Sequence, residues 1–393
     1  MTATANDPAE RRAAERAAGG SGVFIDADIE ALAASGAIAA SLPPGPGQVQ
    51  PASVDLRLAP VAYRVRSSFL PLEGRSVRDM LDRYAMHTID MTRGAVLERQ
   101  CFYVVPLLES LALPRGLGGT TNPKSSTGRL DVFTRVICDG ATGFDLVPQG
   151  YRGPLYAEIS PKTFSIFVHE GSRLTQLRLR RGAAALSERA MREVQAATPL
   201  VHGPDAAGVE SSGAGGRAPD AAATIKDNTI AVSVDLRGAD SGGLIGYRAR
   251  RHSAVIDLDR IGHYDAQAFW EPIHAEEGGG LILDPGEFYI LASKERVSVP
   301  PSLCAEMVAY DVLNGEFRVH YAGFFDPGFG WPDGTRAVLE VRSHEVPFLL
   351  EHGQIVGRLA YERLTGAPNR IYGQDIGSSY AHQGLALSKH FRK

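Results

Sequence analysis

The stretch Asn122-Pro123-Lys124-Ser125-Ser126-Thr127-Gly128-Arg129-Leu130 sets a Lys, two adjacent serines and an Arg within six positions. A polar turn of this make-up can aim hydroxyls, backbone N–H groups and two cations at one anion, typically a phosphate. It can equally be a solvated turn with a capping serine. Other reactive side chains are sparse. Cys101, Cys138 and Cys304 are far apart and odd in number, with no CxxC, so a disulfide framework and a zinc-deaminase site are both excluded as expectations. His344 and His352 read as surface residues rather than metal ligands.

The elements that must position such a turn come mostly from short β-type runs. Val54, Leu56 and Leu58 alternate as in a half-buried strand. From Cys101 to Leu179, runs such as Phe102-Tyr103-Val104-Val105 and Leu155-Tyr156-Ala157-Glu158-Ile159 are broken by Gly and Pro, which predicts an all-β barrel or sandwich. A few short helices are expected. Asp26 or Asp28 caps one that stops at Gly36, Ser76 caps another carrying Val77, Met80, Leu81 and Tyr84, and a third covers Ser187 to Ala197. The run Arg178-Leu179-Arg180-Arg181 reads as a solvated sheet edge. At 393 residues, 44% hydrophobic, 22% charged and net charge −4, the chain is globular, has room for two domains and shows no whole-chain attraction to a nucleic acid polymer or a membrane. No apolar run reaches the length of a membrane span, and the Ala-rich start has no signal-peptide core, so a cytoplasmic location is expected.

The pattern then repeats. Ser233-Val234-Asp235-Leu236-Arg237 restates Ser53-Val54-Asp55-Leu56-Arg57; Val299-Pro300 restates Leu113-Pro114; Glu340 restates Glu158; and Gly353 restates Gly171, all in the same order at nearly constant spacing. Each unit is far longer than a solenoid repeat, so two copies of one β domain, fused and diverged, are expected. A fused pair mimics a dimer and buries one copy against the other. The expected layout is a flexible tail over 1–22, a first domain over 23–185, a helix plus disordered linker over 186–225 and a second domain over 226–393. Asp55 and Asp235 read as structural residues that bond a turn.

With these residues laid out, the chain resembles the dCTP deaminase branch of the dUTPase-like superfamily, in its long two-repeat single-chain form. The likeness rests on Gln50-Pro51-Ala52-Ser53-Val54-Asp55-Leu56-Arg57, on Lys124 to Leu130 and on Gly150-Tyr151-Arg152-Gly153-Pro154-Leu155-Tyr156-Ala157-Glu158. Phe325-Asp326-Pro327-Gly328-Phe329 and Leu339-Glu340 resemble the third motif again, and Tyr372 and Tyr380-Ala381-His382-Gln383 resemble a nucleotide-closing tail. Three departures stand out. The first copy has Val147-Pro148-Gln149 where the family usually places an Asp before the turn. The second has Tyr310 to Arg318 where the serines and Arg belong. The tail has Ser379 where the family usually places a Lys, for which Lys389 could substitute.

The resemblance implies two tandem dUTPase-like β-barrel or β-clip domains forming a pseudo-dimer. It also implies hydrolytic deamination of dCTP to dUTP and ammonia without a zinc ion. In that chemistry Glu158 or Glu340 shuttles protons, Ser125 holds the attacking water, and Arg129 supports the phosphate or the Glu–Ser network. Lys124 and Ser126 hold the triphosphate. Gly150 and Asp326 belong to the turn that closes on the nucleoside, Tyr151 or Phe329 stacks on the deoxyribose, and Tyr372 and Gln383 close the site. Mg²⁺ comes on the triphosphate, dTTP is a possible feedback inhibitor, and a trimer-based homo-oligomer is expected. The competing expectations are a dUTP pyrophosphatase, a bifunctional deaminase and dUTPase, and an inactive nucleotide-binding scaffold.

Overall fold

The computed structural model of the chain describes residues 20–202, 223–308, 317–319, 323–343, 345–374, 380 and 384–392. The fold is mainly β, and its sheets repeat strand for strand. In the first copy one sheet runs in the order Leu146–Val147, Leu117–Pro123, Arg173–Arg181, Ser53–Arg57, Val49–Gln50. In the second copy the order is Phe324–Phe325, Leu303–Val308, Ile355–Arg363, Thr229–Ser233, Ile225–Lys226. The partner sheets match as well. Val132–Cys138, Arg152–Pro161, Phe102–Ala112, Val61–Val65 and Ala85–Asp90 are restated by Phe317–Val319, Thr335–Ser343, Phe288–Val297, Leu244–Ala249 and Trp270–His274.

Local sequence explains the helices. Ser76 accepts the Asp79 N–H at 3.1 Å, so Val77–Tyr84 begins where expected, with Val77, Met80 and Leu81 buried. The first helix, Asp26–Ala34, differs in detail. Its cap position is Ile25, and Asp28 reaches back to accept the Ile25 N–H at 3.2 Å. Gly36 follows with φ +76°, which a residue with a side chain adopts at a cost.

The expectation that 186–225 forms a helix and linker outside both domains needs correction at its start. Glu188–Ala197 lays Met191 into the second core, followed by Leu200 and Val201. The strand Val201–His202 pairs with Phe288–Val297 as Ile38–Ala40 pairs with Phe102–Ala112. This helix therefore opens the second copy, as Asp26–Ala34 opens the first. Of the linker expected over His202 to Ala223, residues 203–222 lie outside the described residues.

The run Arg178 to Arg181 is not a solvated edge. Arg178 is fully buried, donates to the Ala305 carbonyl at 2.8 Å, and lies 3.3 Å from the Asp326 carboxylate and 3.9 Å from that of Glu362. Arg180 pairs with Glu362 at 2.9 Å and Glu306 at 3.3 Å, and Asn122 donates to Glu306 at 2.8 Å. Glu362 stands 182 positions after Arg180, the same spacing that separates Glu340 from Glu158. Equivalent positions thus face each other, as across the two-fold contact of a dimer. The copies also exchange structure. Ile256–Asp257 of the second adds a parallel strand to Ile166–Val168 of the first, and Phe269, Trp270 and Phe391 enter the first copy's core.

Candidate active site

Lys124 to Arg129 form a tight turn between sheet strands. The Lys124 N–H bonds the Leu174 carbonyl at 2.9 Å, the Thr127 N–H bonds the Lys124 carbonyl at 2.8 Å, and Ser125–Gly128 make one helical turn. Ser126, Thr127 and Arg129 are buried. The turn opens onto a cavity of about 420 Å³, within the size range of small-molecule sites. Both copies line it. Lys124, Ser125, Ser126 and Arg129 come from the first; Asp326, Phe329, Glu340 and Tyr372 come from the second.

Glu340 sits on Thr335–Ser343 opposite Ile290, and its side chain is 7% exposed. Burial pushes its carboxyl up to about 7, although the Arg129 guanidinium, 4.0 Å away, favours the charged form. Arg129 is itself fixed. It donates to the Ala386 carbonyl at 3.0 Å and stacks its guanidinium 3.9 Å from the centre of the Tyr380 ring. A half-neutral carboxyl beside a permanent cation, in one cavity with a pair of serines, can take a proton from water and return it at neutral pH.

The aromatic wall also belongs to the second copy. Phe329 packs edge-on to Phe325 at 4.9 Å and lies 6.2 Å from the Tyr372 ring. Asp326 is buried against Arg178; burial raises its carboxyl and the guanidinium opposes that shift. At the other end, Lys124 forms an ion pair with Asp55, and among the described residues no turn N–H donates to the Asp55 carboxylate. Asp235 does bond a turn, accepting the Arg237 N–H at 2.9 Å, and it also binds Arg336 at 2.7 Å.

Three of the residues expected in the site stand elsewhere. Glu158 is fully buried and binds Arg135 at 2.5 Å, and Arg135 in turn donates to Ser68 and lies against the Phe144 ring. Tyr151 turns its phenol to the Pro154 carbonyl at 2.7 Å. Neither residue lines the cavity, and nor does Gly150, which holds φ +71° at its own turn. Gln383 lies outside the described residues, as do positions 310–316 of the segment Tyr310 to Arg318.

Other residues reach the cavity without having been expected there. His169 bonds the Glu170 carbonyl at 2.5 Å and pairs with Asp259. Burial pushes its imidazole down, but these two partners outweigh it and raise the pKa. Arg173, Lys389 and His390 complete that end. Asp55 carried a signal, because it sits in a recognised motif. His169 and Asp259 carried none, being 90 positions apart. His352, set aside as a ligand, accepts the Leu236 N–H at 3.1 Å.

Two family descriptions match the chain. The 2'-deoxycytidine 5'-triphosphate deaminase N-terminal domain matches residues 20–183, and the C-terminal domain of the same family matches residues 187–391. The chain belongs to the dCTP deaminase family. It is similar to the crystal structure of 2'-deoxycytidine 5'-triphosphate deaminase from Agrobacterium tumefaciens, with 51% identity, a TM-score of 0.81, and coverage of 89% of this chain and all of that one. Shorter relatives match in part. A "dCTP deaminase, dUMP-forming" from Halobacterium salinarum is 36% identical over 111 residues, 28% of this chain and 55% of that protein. A "dCTP deaminase" from Natronomonas pharaonis is 30% identical over 122 residues, 30% of this chain and 60% of that protein. The chain therefore spans little more than half the length of these two relatives.

Proposed function

We propose that the protein deaminates dCTP hydrolytically, giving dUTP and ammonia, in a site built from both halves of one chain. The observation that carries this reading is that Glu340 of the second copy shares a cavity with Ser125 and Arg129 of the first. Each copy alone lacks part of the family pattern, and the cavity unites the parts, which argues against an inactive scaffold.

In this reading the Glu340 carboxylate takes a proton from a water held by the Ser125 hydroxyl. The hydroxide adds to C4 of the cytosine, and Glu340 passes the proton to N3. The Glu340 carboxylate then takes the proton of the new C4 hydroxyl and delivers it to the amino group, so that the C4–N bond breaks, the C4 carbonyl forms and ammonia leaves. Arg129 steadies the Glu–Ser pair, Lys124 and Ser126 face the phosphates, and Asp326 and Phe329 border the nucleoside. A wall of Phe329 against the sugar disfavours a ribose 2′-hydroxyl. The substrate carries Mg²⁺ on its triphosphate, the arrangement magnesium favours. Among the described residues no group of three or more His, Cys, Asp or Glu is placed to hold a metal ion. The reading also takes the working form to be a trimer-based oligomer in the cytoplasm, open to feedback by dTTP.

A second reading follows from relatives whose names state that they form dUMP. The same site would then also hydrolyse dUTP to dUMP and pyrophosphate. Incubating the protein with Mg²⁺ and dCTP and separating the products distinguishes the two. Ammonia with dUTP is the expected result. Ammonia with dUMP and pyrophosphate establishes the second reading, and an unchanged nucleotide rejects both.

A further inference from the structure

We propose that Arg342 is a positioning residue for the deamination, its ion pair with Asp131 holding the strand that bears Glu340 against the turn that bears Arg129. This rests on the reading above. Glu340 and Arg342 stand two apart on Thr335–Ser343, so their side chains leave the same face of the strand. Arg129 and Asp131 are likewise two apart in the first copy. Glu340 lies 4.0 Å from Arg129, and Arg342 is ion-paired with Asp131. Two pairs of opposite polarity therefore cross between the copies side by side. Arg129 and Glu340 line the cavity; Asp131 and Arg342 do not, so they can act on the chemistry only through the first pair.

The second pair is fixed from both sides. The Asp131 side chain is 1% exposed and that of Arg342 15%. The Thr163 hydroxyl donates to the Asp131 carboxylate at 2.5 Å and accepts from the Arg342 guanidinium at 2.9 Å. The guanidinium also donates to the Gly286 carbonyl of its own copy. A planar fork held at separate points cannot swing about its stem. In the first copy the Asp131 N–H closes the turn on the Gly128 carbonyl at 2.8 Å, and the Asp131 carbonyl accepts the Lys162 N–H at 2.8 Å. Lys162 itself sets its ammonium 4.7 Å from the centre of the Phe102 ring. Asp131 has φ +54°, a left-handed conformation that suits glycine best. An aspartate there keeps a carboxylate where the backbone alone would favour none. The first copy has no counterpart of this arginine. Ser160 stands 182 positions before Arg342, and Glu158 pairs with Arg135 instead. The β domain therefore folds without an arginine at this position.

The test uses the full-length chain. Arg342→Met alone leaves Asp131 buried and charged, so it is paired with Asp131→Gly, which removes both charges and places glycine at the left-handed position. This double variant is expected to keep its KM for dCTP and to lose about 10- to 100-fold in kcat, the scale of an ångström's misplacement of a reacting group. Arg342→Lys, which keeps the charge, should recover part of that loss. In a Glu340→Gln background the same double substitution should lower kcat no further, because Arg342 works through Glu340. A merely structural role would cost the same factor in both backgrounds. Infrared titration of the Glu340 carboxyl, taken as a difference against Glu340→Gln, supplies a readout without turnover. Arg129 opposes the burial that pushes this carboxyl up to about 7. Once the strand and turn part, the midpoint should rise by about one unit, the lower end of what an opposite charge at this range contributes. If the wild type leaves dCTP unchanged, the deaminase reading fails and this titration still decides on Arg342. An unchanged midpoint, or a kcat loss equal in both backgrounds, overturns the proposal.

Discussion

Glu340 and Glu158 occupy equivalent strands in different surroundings. Glu340 is buried beside Arg129 at 4.0 Å on the wall of an open cavity; Glu158 is sealed against Arg135 at 2.5 Å. Glu340→Gln is expected to lower kcat for dCTP by about 10²- to 10⁴-fold, the usual size of a general acid–base contribution. Glu158→Gln should leave kcat near wild type but cost about 1.5–3 kcal/mol of stability through its weakened charged hydrogen bond. Steady-state rates and denaturant titration of both variants check this, and a dead Glu158→Gln with an active Glu340→Gln would reverse the assignment. The pH profile follows from the raised carboxyl. Activating water requires the ionised form, so kcat/KM should fall as pH drops below about 7. Stability moves the other way. Between about 4.5 and about 7 the folded protein holds a proton on Glu340 that the unfolded chain releases. Glu340 therefore contributes most to stability below the unfolded value, and that contribution is lost as pH rises through 7. Glu340→Gln should thus be more stable than wild type at pH 8, by up to about 3 kcal/mol, with no such gain at pH 4. Melting curves at the two pH values test the sign.

The decisive element is the strand Arg173–Arg181. One face packs Leu174, Leu177 and Leu179 into the first core, and Arg178 and Arg180 reach into the second copy. Its period-two alternation is plain in the sequence, but the sequence cannot say what lies over the charged face. Water was the ordinary expectation, and the second copy is what covers it. Replacing Arg178 by Met leaves Asp326 buried beside a neutral side chain, while Glu362 keeps Arg180, a loss of about 3–5 kcal/mol for a broken buried pair. Because Asp326 lines the cavity, the same variant should also raise KM for dCTP. Unfolding and kinetics measured together separate this from a purely structural loss, which would lower stability and leave KM unchanged.

At the scale of the molecule, fusing two copies lets them diverge. The first keeps the polar turn Lys124 to Arg129 and the second keeps Glu340 and the aromatic wall, and the contact between them makes one cavity. A site wholly inside one chain has a simple consequence. Mixing Arg129→Ala with Glu340→Gln, each inactive, should recover no activity after joint unfolding and refolding, because every chain still carries one defect. Recovery toward a quarter or more of wild-type rate would place the site between chains.

The sequence by itself determined the β class, the two copies, the family and the polar turn Lys124 to Arg129. These are properties of local pattern: alternation, spacing and short-range turn chemistry survive in a linear reading. It also supplied both glutamates but no means to choose between them, since each lies in an equally apolar run. Only the tertiary structure sets the polar turn of one copy in one cavity with Glu340 of the other, and the proposed assignment rests on that. That contact joins residues about 200 positions apart, and its physical basis is the buried pairing of Arg178 and Arg180 with acids of the second copy. The same folding-back of the tail sets Ser388 against the Ser126 carbonyl, 262 positions away in sequence.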